Sequence, residues 1–180
     1  MKHLLLCFIL VCLCFGCKSP EARPPVTTKS GSFIKESVER NKKLNKRERE
    51  KIQEVISKNP NKNFVASENG FWYHYNIKVE ENLKTAEFGD KLEYTYNISN
   101  LNNQLIYSEE ELGEQVYYMD KEELFSGLRE GLKLMKPKED VTFIFPSQKA
   151  YGYYGDEKKI GTNVPLIVNV KLKTITQNND

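Results

Sequence analysis

The sequence predicts an α+β fold: an antiparallel β-sheet wrapped around one short helix, preceded by an N-terminal helical segment. Three observations carry this. Beyond residue 61 apolar residues recur with period two in four stretches: Phe71, Tyr73, Tyr75, Ile77 and Val79; Leu92, Tyr94, Tyr96 and Ile98; Val141, Phe143 and Phe145; Leu166, Val168, Val170 and Leu172. Such alternation marks strands with one buried face. Between the second and third stretches, Leu124, Phe125, Leu128, Leu132 and Met135 fall at helical spacing and describe one amphipathic helix. Ahead of the strands, residues 33–58 contain no proline or glycine and are dominated by Lys, Arg and Glu, a helical composition.

Taken in order, residues 1–16 read as an export signal. Lys2 and His3 precede an apolar run from Leu4 to Phe15. The run is about half the roughly twenty residues a membrane-spanning helix needs, and a basic start before a short apolar stretch is the pattern of a secretory signal. Residues 17–32 are polar, carry Pro20, Pro24 and Pro25, and are expected to form an extended tether. Residues 33–60 form the charged helical segment, with Ser32 as its expected cap and Asn59-Pro60 as its end. Its apolar residues are sparse: Phe33, Ile34, Val38, Leu44, Ile52, Val55 and Ile56. They make no sustained heptad seam, so two short helices fit as well as one. Residues 61–180 are the expected folded domain. Asn100, Asn102 and Asn103 mark a turn after its second strand, and Pro137 is expected to stop its helix.

Composition narrows the function classes. The chain has 180 residues, is 39% hydrophobic and 29% charged, and carries a net charge of +2, which gives no reason to expect a nucleic-acid partner. All four cysteines, Cys7, Cys12, Cys14 and Cys17, precede residue 18, and the two histidines are His3 and His74. No disulfide framework or cysteine- or histidine-rich metal site is therefore expected in the domain, and no cofactor. There is no nucleophile elbow, phosphate loop or zinc helix. The remaining feature is an aromatic and aliphatic set around the helix and the last two strands, which by itself reads as core.

Resemblance adds a function. Leu124-Phe125-Ser126-Gly127-Leu128-Arg129-Glu130-Gly131-Leu132-Lys133-Leu134-Met135-Lys136 resembles the helix motif of FK506-binding-type peptidyl-prolyl isomerases. Phe145-Pro146-Ser147 and Ala150-Tyr151-Gly152 resemble the family's next strand end and its Ala-Tyr-Gly loop; Leu166 to Leu172 resembles the closing strand. Upstream, Gly89-Asp90 followed by Leu92 to Tyr96 is similar to the strand that ends in a pocket tyrosine. The likeness runs from Gly70 to Ile175. Separately, Leu13-Cys14-Phe15-Gly16-Cys17 resembles a bacterial lipobox, in which a small residue precedes a lipidated cysteine. Residues Cys17 to Pro25 and Gly31 to Val38 resemble the gliding-motility-associated lipoprotein isomerases of Bacteroidetes.

These resemblances imply an FKBP-like fold, a proline pocket and proline-containing polypeptide substrates. They imply a lipid on Cys17, a location on the periplasmic side of a bacterial envelope membrane, and partners among motility or secretion proteins. Carried over by motif, Tyr96 is one wall of the pocket and Leu124 and Phe125 border it, with the Phe125 N–H available to a substrate carbonyl. Leu128 is the floor, Tyr151 supplies a wall and a hydroxyl, and Ile160 and Val168 close the far side. The chain departs from the family at four places. Leu128 stands where the family usually has Trp, and Ile106-Tyr107 stands where it has Phe-Asp. Lys159 and Gly161 replace an aliphatic residue and a proline at the rim. The acid normally orients groups at the pocket mouth. Its replacement by Tyr107 keeps open a second expectation, a binding or chaperone module of an envelope complex with weak or no turnover.

Overall fold

The computed structural model describes residues 30–178, with side chains from residue 33 onward. The expected signal at 1–16, Cys17 and the tether as far as residue 29 lie outside the described residues. The chain divides into two units, Met1–Val38 and Glu39–Asp180, and the architecture below is that of the second.

Helix α1 runs unbroken over Ser30–Ser57, so the alternative of two short helices does not hold. It begins two residues before the expected cap at Ser32, inside the expected tether. Its end matches the sequence: the Asn59 side chain donates to the Val55 carbonyl and the Asn59 N–H to that of Ile56, satisfying acceptors that a helix terminus leaves open. The strands follow as β1 Val65–Ala66, β2 Trp72–Ile77, β3 Lys91–Asn100, β4 Leu105–Tyr107, β5 Gln115–Tyr118, β6 Asp140–Phe145 and β7 Leu166–Thr176. A one-turn helix α2, Glu109–Leu112, lies between β4 and β5, and α3, Ser126–Leu132, between β5 and β6. All strand pairs are antiparallel, in the order β1-β2-β6-β7-β3-β4, with β5 also paired to β3. Among the described residues no helix is long and apolar enough to cross a membrane.

The period-two residues occupy one face of this sheet. Leu92, Tyr94, Tyr96 and Ile98, Val141, Phe143 and Phe145, and Leu166, Val168, Val170 and Leu172 join Leu128, Leu132 and Met135 in a single buried cluster. The first stretch behaves differently. Phe71 is buried and Tyr73 and Tyr75 pack against the cluster, but Ile77 is exposed. The register shifts between Tyr75 and Ile77, so the alternation stops short of Val79. On the opposite face Ile144 and Ile167 are covered by Ile52, with Val55 and Ile56 beside it. The last turns of α1 therefore belong to the folded body, while Phe33, Ile34 and Val38 are exposed.

Helix α3 is shorter than the spacing from Leu124 to Met135 suggests. Phe125 is extended (φ −60°, ψ 140°), so Leu124 and Phe125 lead into the helix rather than lie on it. The helix ends before Pro137 is reached: the N–H groups of Leu134 and Met135 turn back to the carbonyls of Gly131 and Leu132, the tighter three-residue pattern. Two glycines bring α3 down on the sheet. A Cβ on Gly127 would stand 2.5 Å from the Phe145 ring and 2.6 Å from the Lys149 carbonyl oxygen, and one on Gly131 would stand 2.9 Å from the Phe143 ring.

Candidate functional site

The extended approach to α3 and the loop after β6 meet at a hollow of about 490 Å³ lined by Glu122, Glu123, Leu124, Phe125, Arg129 and Tyr151. The Phe125 ring lies 5.1 Å from the Tyr151 ring and 5.6 Å, edge-on, from the buried Phe145 ring. Because Phe125 precedes the helix, its N–H is outside the helical ladder and has no acceptor among the described residues. Its carbonyl takes the Arg129 N–H, so the helix engages the peptide unit after Phe125 and not the one before it, which carries the Phe125 N–H. Arg129 stands at the rim, within ion-pair range of Asp120 and Glu130.

The other sequence-predicted residues lie behind this hollow, in the core cluster against which Leu124, Phe125 and Tyr151 pack. Leu128 and Val168 are fully buried and Ile160 nearly so. Tyr96, on β3, is buried except for a small part of its surface. Its hydroxyl is near enough to that of Tyr151 to raise the latter further. Burial is the main cause that pushes the Tyr151 hydroxyl well above the ordinary tyrosine range, with Tyr96, Asp156 and Tyr107 adding to it. Burial raises Tyr96 as well. Neither hydroxyl has a protein acceptor among the described residues, and neither is sealed from solvent. Both are therefore protonated donors at any physiological pH.

The residues missed by the sequence reading are Tyr94 and Asp156. Tyr94 sits two positions before Tyr96 on the same face of β3, with ring centroids 5.6 Å apart. Burial, then Tyr96, Tyr117, Tyr151 and Glu122, raise its hydroxyl far above the ordinary range. Period two had shown Tyr94 facing inward, which by itself does not separate a wall from core.

Asp156 explains Tyr107. The Tyr107 hydroxyl donates to one carboxylate oxygen of Asp156, while the other accepts the Ile160 N–H at 2.7 Å and the Lys158 N–H at 3.0 Å. Burial opposes ionisation of Asp156, but these donors outweigh it and hold the carboxyl below its ordinary value. Tyr107 is raised, chiefly by the same hydrogen bond. Lys159 lies over the Tyr107 ring, 4.8 Å from its centroid, and pairs with Glu111 on α2. A carboxylate from the loop thus meets the tip of Tyr107 on β4, and Lys159 is bound into the same group. Gly155, at φ +71°, permits the turn: a Cβ there would run into the Ile160 carbonyl. Ahead of that turn Tyr153 and Tyr154 stand 70% and 83% exposed.

A larger hollow, about 570 Å³, lies between the end of α1 and the β3–β4 turn. Its lining is mostly lysine, glutamate and asparagine and includes none of the aromatic set. Among the described residues no group of acidic, histidine or cysteine side chains is placed to hold a metal ion.

Comparison with known proteins agrees with the fold. Two solved structures are similar over most of their length. One is a peptidyl-prolyl cis-trans isomerase from Pseudomonas syringae pv. tomato: 18% identity, TM-score 0.60, covering 76% of this chain and 96% of that one. The other is FkpA from Escherichia coli: 17% identity, TM-score 0.61, covering 98% of this chain and 82% of that one. At such identities the likeness establishes the fold. No curated protein sequence matches the chain. Residues 83–173, half of the chain and the whole of the site from Tyr94 to Val168, match the FKBP-type peptidyl-prolyl cis-trans isomerase family, and the chain belongs to that family.

Proposed function

We propose that the hollow at the head of α3 takes the proline ring of an extended polypeptide and that the domain accelerates cis–trans exchange of the bond before it. The observation that carries this is the pairing of unused donors with an apolar base. The Phe125 N–H and the Tyr151 hydroxyl lack acceptors among the described residues, and both residues line one hollow and pack against a core that includes Leu128, Val168 and Tyr96.

Resonance holds an X-Pro amide planar behind a barrier of about 18–20 kcal/mol. Twisting it reduces charge separation, so an apolar surround disfavours the planar ground state relative to the twisted one. The Phe125 N–H binds a substrate carbonyl and orients the chain. The Tyr151 hydroxyl donates to a second carbonyl as the amide rotates. No bond is made or broken, and no group has to gain or lose a proton. Each 1.36 kcal/mol removed from the barrier is about a tenfold gain in rate. A protease-coupled assay on short X-Pro peptides tests the reading: the mature chain is expected to accelerate exchange, and Tyr151→Phe and Phe125→Ala to lose most of the gain. Wild-type rates in either variant would defeat it.

A second reading is favoured by Tyr153 and Tyr154, two exposed rings that follow Tyr151 on the same loop. They suit holding unfolded chains, so that the domain serves as a chaperone or scaffold with little turnover. It is separated by suppression of aggregation that survives Tyr151→Phe but not Tyr153→Ser with Tyr154→Ser.

For location, the lipobox-like end of the signal supports a mature chain held on an envelope membrane by acyl chains on Cys17. Each buried methylene contributes about 0.8 kcal/mol to such anchoring. The clients are then exported or envelope proteins. The resemblance of residues 17–38 to gliding-associated lipoproteins supports a link to a motility and secretion apparatus. Palmitate labelling that persists in Cys17→Ala contradicts the anchor, and full motility in a deletion strain contradicts the link.

A further inference from the structure

We infer that Glu48, on the helix ahead of the sheet, is a positioning residue for the loop that carries Tyr151. This rests on the proposed proline site. Glu48 is an acidic residue on a mostly solvated, charged helix, yet only 4% of it is exposed. One carboxylate oxygen accepts the Ser147 N–H at 2.8 Å and the other the Ser147 hydroxyl at 2.6 Å. Ser147 is itself 1% exposed. A carboxylate is costly to remove from water unless its oxygens are matched by donors, and here both are taken by one residue. Such an arrangement fixes Ser147 in two directions at once.

Ser147 in turn fixes Tyr151. Its carbonyl accepts the N–H of Ala150 at 3.0 Å and the N–H of Gly152 at 2.9 Å, the residues on either side of Tyr151. The 3₁₀ turn Ser147–Lys149 is the only regular element between the end of β6 and Tyr151. A chain of hydrogen bonds therefore leads from Glu48 through Ser147 to the backbone flanking the proposed catalytic hydroxyl. Ile52, one turn further along α1, is wedged between Ile144 and Ile167 and holds Glu48 at this depth. Glu48 lies outside residues 83–173 that match the family, so this support is built from sequence the family match does not include. The helix ahead of the domain is thereby part of the catalytic unit, not a spacer.

The test uses the mature chain with Glu48→Gln, Glu48→Ala and Ser147→Ala. An amide in place of the carboxylate can accept the Ser147 N–H and donate to its hydroxyl oxygen, so Glu48→Gln is expected to stay within about twofold of wild type. Glu48→Ala is expected to lower kcat about tenfold with little change in KM, the effect of a misplaced rather than missing group. Amide exchange at Ala150 and Gly152 is expected to speed about tenfold or more while Val168 and Val170 in β7 stay protected. If Glu48→Ala does not fold, Ser147→Ala carries the test through the same two readouts, with an expected kcat loss of about threefold. Uniformly faster exchange across the sheet, or unchanged kcat with unchanged exchange at 150–152, overturns the assignment. Failure of the proline-site reading looks different: the wild type itself gives no acceleration, while local exchange in Glu48→Ala still rises.

Discussion

Gly127→Ala is the substitution for which the geometry makes the sharpest demand. An ideal Cβ at Gly127 falls 2.5 Å from Phe145 Cδ1 and 2.6 Å from the Lys149 carbonyl oxygen, both well inside ordinary contact. Neither neighbour can step aside. Phe145 is fully buried, stacked on Phe143 at 5.4 Å and met edge-on by Phe125, and the Lys149 oxygen is backbone. Overpacking of a tight core costs about 1–3 kcal/mol. Against it stands the helix preference of Ala over Gly, up to about 1 kcal/mol. That gain is small here because Gly127 is the second residue of a seven-residue helix. The net loss is about 2 kcal/mol, or about 6 °C in Tm for a domain of this size. Gly131→Ala serves as the control, since its Cβ meets only the edge of the Phe143 ring at 2.9 and 3.0 Å. Its cost is expected near 1 kcal/mol. The two also differ in activity. Displacing Lys149 moves the peptide leading to Tyr151, so Gly127→Ala should lose about tenfold in kcat, and Gly131→Ala less than twofold. Thermal denaturation and the isomerase assay on both variants decide it. A Gly127→Ala protein as stable as wild type, or a larger activity loss in Gly131→Ala, refutes the reasoning.

Three further outcomes follow from other parts of the molecule. Since Tyr96 and Tyr151 titrate above the ordinary tyrosine range and Asp156 below the ordinary carboxylate range, kcat/KM should be flat over about pH 6–9; a bell-shaped profile centred near neutrality contradicts a mechanism without proton transfer. The depressed Asp156 carboxyl contributes stability that is complete above its unfolded value of 3.8 and is lost as pH falls through the folded value. Amide exchange at Lys158 and Ile160 should therefore rise on acidification below that point, and Asp156→Asn should remove this acid dependence. Ile52→Ala deletes a fully buried side chain between Ile144 and Ile167 and should cost about 2–5 kcal/mol in denaturant unfolding; a loss under 1 kcal/mol would show that α1 is not packed on the sheet.

The sheet's inner face was legible because its buried residues keep a clean period of two through Leu92–Ile98, Val141–Phe145 and Leu166–Leu172. The outer face was not. Ile144 and Ile167 occupy the intervening positions of β6 and β7 and read as interruptions of the pattern, although both are buried under Ile52. Ile52, Val55 and Ile56 showed helical spacing, but spacing on a mostly charged helix does not reveal what it packs against. The ends of α3 were misjudged for a related reason: Leu124, Phe125 and Met135 are buried or half-buried from irregular backbone that happens to continue the helical period. At the site, motif resemblance picked out Phe125 and Tyr151, which the structure brings to 5.1 Å. Tyr107 looked like the loss of an acid. Its partner Asp156 is 49 positions away, and no local pattern links them.

The central claim is that the hollow beside Phe125 and Tyr151 eases a prolyl amide out of planarity, and exchange spectroscopy on a proline-containing peptide tests it most directly. Uncatalysed exchange takes tens to hundreds of seconds, far too slow to link the cis and trans resonances of the free peptide. With a catalytic amount of the mature chain, exchange peaks should appear between the two forms, and they should fade with Phe125→Ala or Tyr151→Phe. Binding that shifts the peptide resonances without producing exchange peaks would contradict the claim and leave a domain that holds proline segments but does not turn them.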